Sequence, residues 1–301
     1  MRLVKRLPKI EPREADSHKG TYGRVLVVAG SQTMNGAAYL SCMGAARAGA
    51  GLVVLGAPSY SARILAAQLP CCLVQPCPQT ENGAFSEASG KILLAASQRA
   101  EVTAIGPGLS RDEQTKRMLI SLLQQIETPI VLDADGLNAV AEDLYAIDGR
   151  DKRIVVTPHP REMARLMGVR SAVEVQQNRV KSAMVFAERY DTITVLKGHE
   201  TIVTDGDRMF LNPTGNPGMA SGGTGDVLTG VIAGLIAQGL DTFDAARLGV
   251  YVHGLAGDLA AERLGQISLV ATDLLDTLPD AFKELINTDF RFRPRDQETP
   301  S

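Results

Sequence analysis

Short apolar runs alternate with longer stretches of helical spacing along most of the chain. Arg24-Val-Leu-Val-Val-Ala29 is nearly all apolar and ends at Gly30, the pattern of a strand buried on both faces. Residues 35–48, rich in Ala, predict a helix stopped at Gly49. Residues 52–55 read as a strand, and residues 102–105 as another that runs into Gly106-Pro-Gly108 before a helix over 111–125. Strands at 130–132 and 154–157 end at Asp133-Ala-Asp135-Gly136 and at Pro158. A short helix over 161–167, a longer one over 174–189 and a strand over 192–196 follow. Residues 201–204 and 208–211 flank Asp205-Gly206, a strong hairpin signal. From Gly225 onward the spacing is mostly helical.

Repeated strand–helix alternation implies an α/β fold: a mainly parallel central sheet with helices on both faces. The hairpin near 205 adds an antiparallel edge. In such sheets ligands sit at the carboxyl ends of the strands. The unusual residues fall just there: Gly30-Ser31, Gly106-Pro-Gly108, Asp133 and Asp135, His159, and Lys197-Gly198. They are expected to line one edge of the sheet. Residues 1–17 are polar and Pro-interrupted, and read as a loose arm. Residues 18–286 hold no low-complexity linker and no internal repeat, and read as one domain. Residues 287–301 are charged, contain two Pro, and read as a mobile tail.

Composition narrows the function classes. Lys plus Arg number 31 and Asp plus Glu 34 in 301 residues, a net charge of −3. That balance argues against a general nucleic-acid binder. With 45% apolar and 22% charged residues the chain has the mix of a soluble globule. No apolar run nears the ~20 residues of a membrane span. The longest, from Val227 to Ala237, is broken by Gly230 and Gly234. Met1 to Ile10 is basic without an apolar stretch, so no signal peptide is expected. The four cysteines, Cys42, Cys71, Cys72 and Cys77, lack zinc spacing and suggest no disulfide framework. Cytoplasmic residence is the expectation. The four histidines, His18, His159, His199 and His253, form no HExxH pattern.

The strongest chemical signal runs from Asn212 through Gly-Gly-Thr-Gly-Asp226 to Gly230. Gly222, Gly223 and Gly225 expose backbone N–H groups, and Val227, Leu228, Val231, Ile232, Leu235 and Ile236 follow at helical spacing. A Gly-rich turn opening a buried helix is an anion site, because free N–H groups and the positive dipole end face the ligand. Asp226 either caps this helix or is a base held beside a phosphate. The glycines just before it favour the base. No GxxxxGK[ST], no GxGxxG after a strand and no GxSxG is present.

Gly-Gly-Thr-Gly-Asp-Val-Leu-Thr-Gly230 resembles the signature of the ribokinase-like superfamily. His18-Lys-Gly-Thr-Tyr-Gly-Arg-Val-Leu-Val-Val-Ala-Gly-Ser31, Gly36-Ala-Ala, Arg47-Ala-Gly-Ala-Gly-Leu-Val53, Asp133-Ala-Asp-Gly-Leu-Asn138, Thr157-Pro-His-Pro-Arg-Glu162 and Asn216-Pro-Gly-Met-Ala-Ser-Gly-Gly-Thr-Gly-Asp226 add to it. Together they resemble the ADP/ATP-dependent NAD(P)H-hydrate dehydratases from about His18 to about Asp273. That resemblance implies a ribokinase-like three-layer sandwich and a lyase that restores NADH and NADPH from their 6S hydrates. ADP (or ATP) would phosphorylate the ring hydroxyl, and phosphate would leave by elimination. Asp226 would be the general base, with Gly222, Gly223, Thr224 and Gly225 as the anion hole.

By the same resemblance, Ala37, Gly108 and His159 match positions that touch the hydrated cofactor, together with Asp226. Lys197, Gly198, His199, Glu200, Thr201 and Gly225 match the nucleotide site. Glu162 resembles the superfamily's Mg2+-organising Glu; a first-turn helix carboxylate is the other reading. Lys197 steers phosphate or is a solvated lysine. His159 is a ligand or a loop residue bonded to backbone. Asp133 and Asp135 either cap the next helix or join a phosphate–metal network. Arg161, Gly136, Ser221 and Thr229 depart from commonly seen residues. The resemblance also implies a homo-oligomer, as a homotetramer or another size, with no nucleic-acid or membrane partner. The epimerase domain often fused to such a domain in bacteria is expected to be absent. A ribokinase-like small-molecule kinase, acting on hydroxyethylthiazole or a pyrimidine alcohol, is the alternative.

Overall fold

The computed structural model describes residues 2–149, 151 and 153–287. Its strands and helices run β1 (Arg2–Leu3), β2 (Arg24–Val28), α1 (Asn35–Arg47), β3 (Leu52–Pro58), α2 (Ser59–Gln68), β4 (Leu73–Cys77) and α3 (Ser89–Ser97). Then come β5 (Val102–Ile105), α4 (Glu113–Gln125), β6 (Ile130–Leu132), α5 (Ala134–Val140), β7 (Ile154–Val156), α6 (Pro160–Leu166), α7 (Ala172–Gln177) and α8 (Arg179–Tyr190). The chain continues with β8 (Ile193–Leu196), β9 (Ile202–Thr204), β10 (Arg208–Leu211), α9 (Thr224–Ala237), α10 (Thr242–Leu264) and α11 (Ala271–Asn287).

The ten strands form one sheet in the order β1-β10-β9-β8-β7-β6-β5-β2-β3-β4. Strands β2 to β8 pair in parallel, and β9 is antiparallel to both β8 and β10. Alternation along the strands feeds two cores. In β2, Val25 and Val27 enter the core shared with α1, α2, α9 and α10, while Leu26 and Val28 enter the one shared with α3, α4, α6 and α8. Period-two side chains buried on both faces explain why these strands are almost wholly apolar. The result is the three-layer sandwich expected from the strand–helix alternation. Among the described residues no helix is long and apolar enough to cross a membrane.

The glycines that interrupt the apolar run of α9 bring it against α1. A Cβ on Gly230 would lie 2.0 Å from the Ser41 carbonyl oxygen, and one on Gly44 would lie 2.5 Å from that of Val227. The two backbones therefore touch, and the start of α9 is held at a fixed height over the sheet.

Differences from the sequence reading have local causes. The helix expected over 174–189 is two helices, because Asn178 (φ −136°, ψ 42°) leaves helical geometry between them. Strand β4 carries Gln75 and Pro76, which blur its pattern and are tolerated at a sheet edge. The hairpin forms, but β1 adds outside it, with Arg2 opposite Arg208 and Leu3 opposite Met209. The expected loose arm is tied down further along: Val4, Leu7 and Ile10 pack against the core, Arg247 donates to the Arg6 carbonyl, and Arg13 donates to that of Gly49 at 2.6 Å. Apart from Asn287, the expected mobile tail lies outside the described residues.

Candidate active site

The carboxyl ends of five neighbouring strands carry the residues singled out in the sequence. In sheet order β2, β5, β6, β7 and β8 lead into Gly30, Gly106–Gly108, Asp133, His159 and Lys197. The chain reverses its direction of travel across the sheet between β2 and β5, the position where open α/β sheets form a crevice. There the Gly30 N–H donates to the Pro107 carbonyl at 2.9 Å. Gly108 (φ +66°) lies against α1, and a Cβ on it would stand 3.0 Å from that of Ala37. Ala37 and Gly108 are thus adjacent.

A buried polar cluster lies beside this crevice. The Lys197 ammonium is 2.7 Å from the Asp133 carboxylate, and the Thr229 hydroxyl donates to the same carboxylate at 2.8 Å. Asp133 occupies the N-cap position of α5 without a side-chain cap bond; its carboxylate is held by Lys197 and Thr229 instead. Asp135 accepts from the Ser110 N–H at 3.0 Å and from the Asn138 amide at 3.1 Å. Burial works against the Lys197 charge, but the carboxylates of Asp133 and Glu162 outweigh it and hold the pKa above its usual value.

Asp226 is the third residue of α9, behind Gly223 at φ +92°. Its carboxylate makes no hydrogen bond among the described residues, and no side-chain bond caps α9, so the capping reading does not hold. Burial raises its pKa to about 7; the nearby Asp133 charge adds to the rise, and Lys197 opposes it. A carboxylate poised near neutrality can take up a proton and give it back.

His159 and Glu162 form a capping box at the start of α6. The His159 Nδ1 accepts the N–H groups of Arg161 and Glu162 at 3.1 and 3.3 Å, and Glu162 accepts the His159 N–H at 2.8 Å. The His159 Nε2 lies 3.4 Å from Glu162. Burial lowers the His159 pKa, and Lys197 lowers it further, so the ring is a neutral Nε2–H donor at pH 7. Burial raises the Glu162 pKa. Among the described residues no group of three or more His, Cys, Asp or Glu could hold a metal ion alone. A Mg2+ arriving with nucleotide phosphates, which would supply most of its oxygens, would need few protein carboxylates, and the buried ones of Glu162 and Asp133 would be its donors here.

On the other side of Lys197 opens a cavity of about 420 Å³. Lys197, Gly198, His199, Glu200, Thr201 and Gly225 all line it, together with Thr224. Of the expected anion-hole residues, Gly222 and Gly223 lie outside this lining. Gly223 is tucked between Leu40 and Ala271, and Gly222 faces open space. Ala37, Gly108 and His159 also lie outside it. A Cβ on Gly225 would sit 3.2 Å from Lys197 Nζ.

Sequence reasoning missed three contributors. His253 is buried in α10 with Nε2 donating to the Thr224 carbonyl at 2.8 Å, and burial lowers its pKa to about 4. Arg179 directs its guanidinium at the carbonyls of Leu196, Lys197, His199 and Glu200. Asp258 accepts from the Gly215 N–H at 2.9 Å and the Asn216 amide at 3.0 Å. Only His253 carried a signal, a polar residue on an otherwise apolar helix face.

A profile of the NAD(P)H-hydrate dehydratases matches residues 25–280. The chain belongs to this family. Bifunctional NAD(P)H-hydrate repair enzymes are similar to it: that of Moorella thermoacetica is 46% identical over 91% of this chain and 52% of its own length, and that of Thermofilum pendens is 40% identical over 92% and 53%. The chain spans about half the length of these curated relatives. Among solved structures, the ADP/ATP-dependent NAD(P)H-hydrate dehydratase of Bacillus subtilis, co-crystallized with ATP/Mg2+, superimposes with a TM-score of 0.77 at 34% identity, covering 91% of this chain and 94% of that one. A ribokinase from Arabidopsis thaliana shares the fold alone, at 14% identity, a TM-score of 0.51 and coverage of 84% of this chain and 98% of that one.

Proposed function

We propose that this dehydratase-family chain uses ADP (or ATP) to dehydrate 6S-hydrated NADH and NADPH. The observation that carries the reading is the Asp226 carboxylate in the first turn of α9, free of hydrogen bonds among the described residues, near Lys197 and poised at about 7. Hydroxide is a poor leaving group and phosphate a good one. The hydrate occupies the crevice at Ala37, Gly108 and His159, and the nucleotide occupies the cavity at residues 197–201. Asp226 accepts the proton of the ring hydroxyl as that oxygen attacks the terminal phosphorus of ADP, and AMP leaves. The ring C–O bond then breaks with its electron pair going to phosphate, a ring proton is lost, and the reduced nicotinamide is restored. Backbone N–H groups of Thr224 and Gly225 and the Lys197 ammonium stabilise the migrating phosphoryl charge. Mg2+ bound with the phosphates would neutralise part of that charge, and Glu162 and Asp133 would hold it. Neutral His159 donates from Nε2 to the hydrated nucleotide. ADP and ATP present similar phosphates to the same turn, and either serves as donor in this reading.

Incubation with 6S-hydrated NADH, ADP and Mg2+ tests the proposal. The reduced-nicotinamide absorbance is expected to recover with one AMP and one phosphate per hydrate consumed. Recovery of no absorbance, with phosphorylation of a small alcohol instead, would hand the site to the kinase alternative, which the nucleotide cavity alone would also suit.

A further inference from the structure

His253 is a buried side chain that the reaction scheme leaves unused. It lies on α10 and lines the nucleotide cavity together with Val250 and Gly254. Its Nε2 stands 2.8 Å from the Thr224 carbonyl. A carbonyl only accepts, so Nε2 carries the proton. Burial lowers the ring's pKa to about 4, and Lys197 lowers it further. The imidazole is therefore neutral at pH 7, and its other nitrogen, Nδ1, is an acceptor. Nδ1 has no protein partner among the described residues. Unlike the unpartnered Ser31 and Thr103 hydroxyls, it is not sealed off within the protein, and the opening it faces is the cavity. The helix that carries the ring is tied to the opposite wall. Asn212 donates to the Val250 carbonyl at 3.0 Å, Thr214 to that of Tyr251 at 2.8 Å and Asn216 to that of Gly257 at 2.9 Å. A buried ring held at one nitrogen, with the other presented to a cavity, is preorganised to receive a donor.

The phosphate oxygens of ADP are acceptors at neutral pH, so they have nothing to offer this nitrogen. The donors of ADP are the exocyclic amino group of adenine and the ribose hydroxyls. We infer that His253 is a specificity-determining residue, whose Nδ1 accepts a hydrogen bond from the nucleoside part of ADP, its amino group or a ribose hydroxyl. The inference rests on the nucleotide reading of the cavity and names a side chain that reads the nucleoside. It also ties the two ends of the nucleotide together. Thr224, which receives the Nε2 proton, opens α9 at the turn that meets the phosphates. A donor on Nδ1 polarises the ring and strengthens the bond that Nε2 makes to that turn.

The test is calorimetric binding, with Mg2+ and the full chain, of ADP, its 2′-deoxy and 3′-deoxy forms, and purine riboside diphosphate, which lacks the amino group. Hydrate turnover is followed beside it. One of the three analogues is expected to bind wild type about tenfold or more weaker than ADP, and the missing group identifies the donor. His253→Leu is expected to lose about tenfold or more in ADP affinity and to bind ADP and that analogue within about twofold of each other, with the KM for hydrate little changed. His253→Gln, whose amide donates to Thr224 and whose oxygen accepts, is expected to recover most of the ADP affinity. Should His253→Leu fail to fold, wild type decides alone: the nitrogen NMR resonance of His253 Nδ1 moves to lower frequency as ADP binds. Three analogues bound by wild type as tightly as ADP, a penalty undiminished in His253→Leu, or an Nδ1 resonance unmoved by saturating ADP would each overturn the inference and leave the dehydratase reading standing. ADP held through His253 without hydrate turnover would uphold it and sink that reading. Failure to bind ADP at all would overturn both.

Discussion

Lys197 and Asp133 meet at 2.7 Å across the ends of β8 and β6, over the intervening strand that leads into His159. Asp133 is almost completely buried, so the pair is a desolvated one, and removing one partner leaves the other's charge stranded. Lys197→Met is expected to cost about 3 kcal/mol of stability or more. It also removes a cation from the phosphoryl path, worth about 10²-fold or more in rate. Adding Asp133→Asn restores much of the unfolding midpoint in urea and none of the turnover, a non-additivity expected of groups in contact.

The acidity of Asp226 sets the pH dependence of kcat/KM. The base must be ionised to act, so the rate for hydrate is expected to rise with pH through an inflection near 7, where burial has moved the carboxyl. Asp133→Asn removes a like charge and shifts the inflection down, whereas loss of the Lys197 cation shifts it up. A pH–rate series on the three proteins checks both signs.

The same raised pKa predicts a stability gain from a mutation that destroys function. The folded protein holds the Asp226 proton up to about 7, while the unfolded chain releases it near 4. Between these values the unfolded state binds fewer protons, so stability falls as pH rises through that window. Asp226→Asn is therefore expected to raise the melting temperature at pH 8 by several degrees, at about 2 °C or more per kcal/mol. The gain should vanish near pH 4. Calorimetric scans at the two pH values measure it.

Arg179 offers a test of how the nucleotide loop is held. Its guanidinium faces four carbonyls of residues 196–200, where Glu200 adopts φ +52° and Gly198 φ +140°. A lysine at this position brings one point charge in place of the planar fork. Arg179→Lys and Arg179→Met are expected to raise KM for ADP about tenfold and about 100-fold, with kcat and the KM for hydrate little changed. Steady-state kinetics in both substrates separate this from a general loss of structure, which would lower kcat as well.

The crevice was legible because its residues follow strands. Gly30, Gly108, Asp133, His159 and Lys197 each end an apolar run, and topology alone brings such ends to one edge. The place of Asp226 in the first turn of a buried helix was legible from the glycines before it and the apolar spacing after it. Long-range pairing was not. That Asp133 joins Lys197 and Thr229 rather than capping α5 depends on side chains 64 and 96 residues away. Arg179 lies at the head of a helix in an unremarkable polar stretch, and its partners are backbone carbonyls that carry no sequence signal. The edge strand β1 is two residues long, too short for periodicity to reveal.

The most direct measurement is turnover of 6S-hydrated NADH with saturating ADP by wild type and by Asp226→Asn, with binding of ADP to both followed by calorimetry. The expected result is a loss of at least about 10²-fold in kcat with ADP affinity within a few-fold. Wild-type turnover by Asp226→Asn would contradict the assignment of the base, and with it the account of how the buried carboxylate is used.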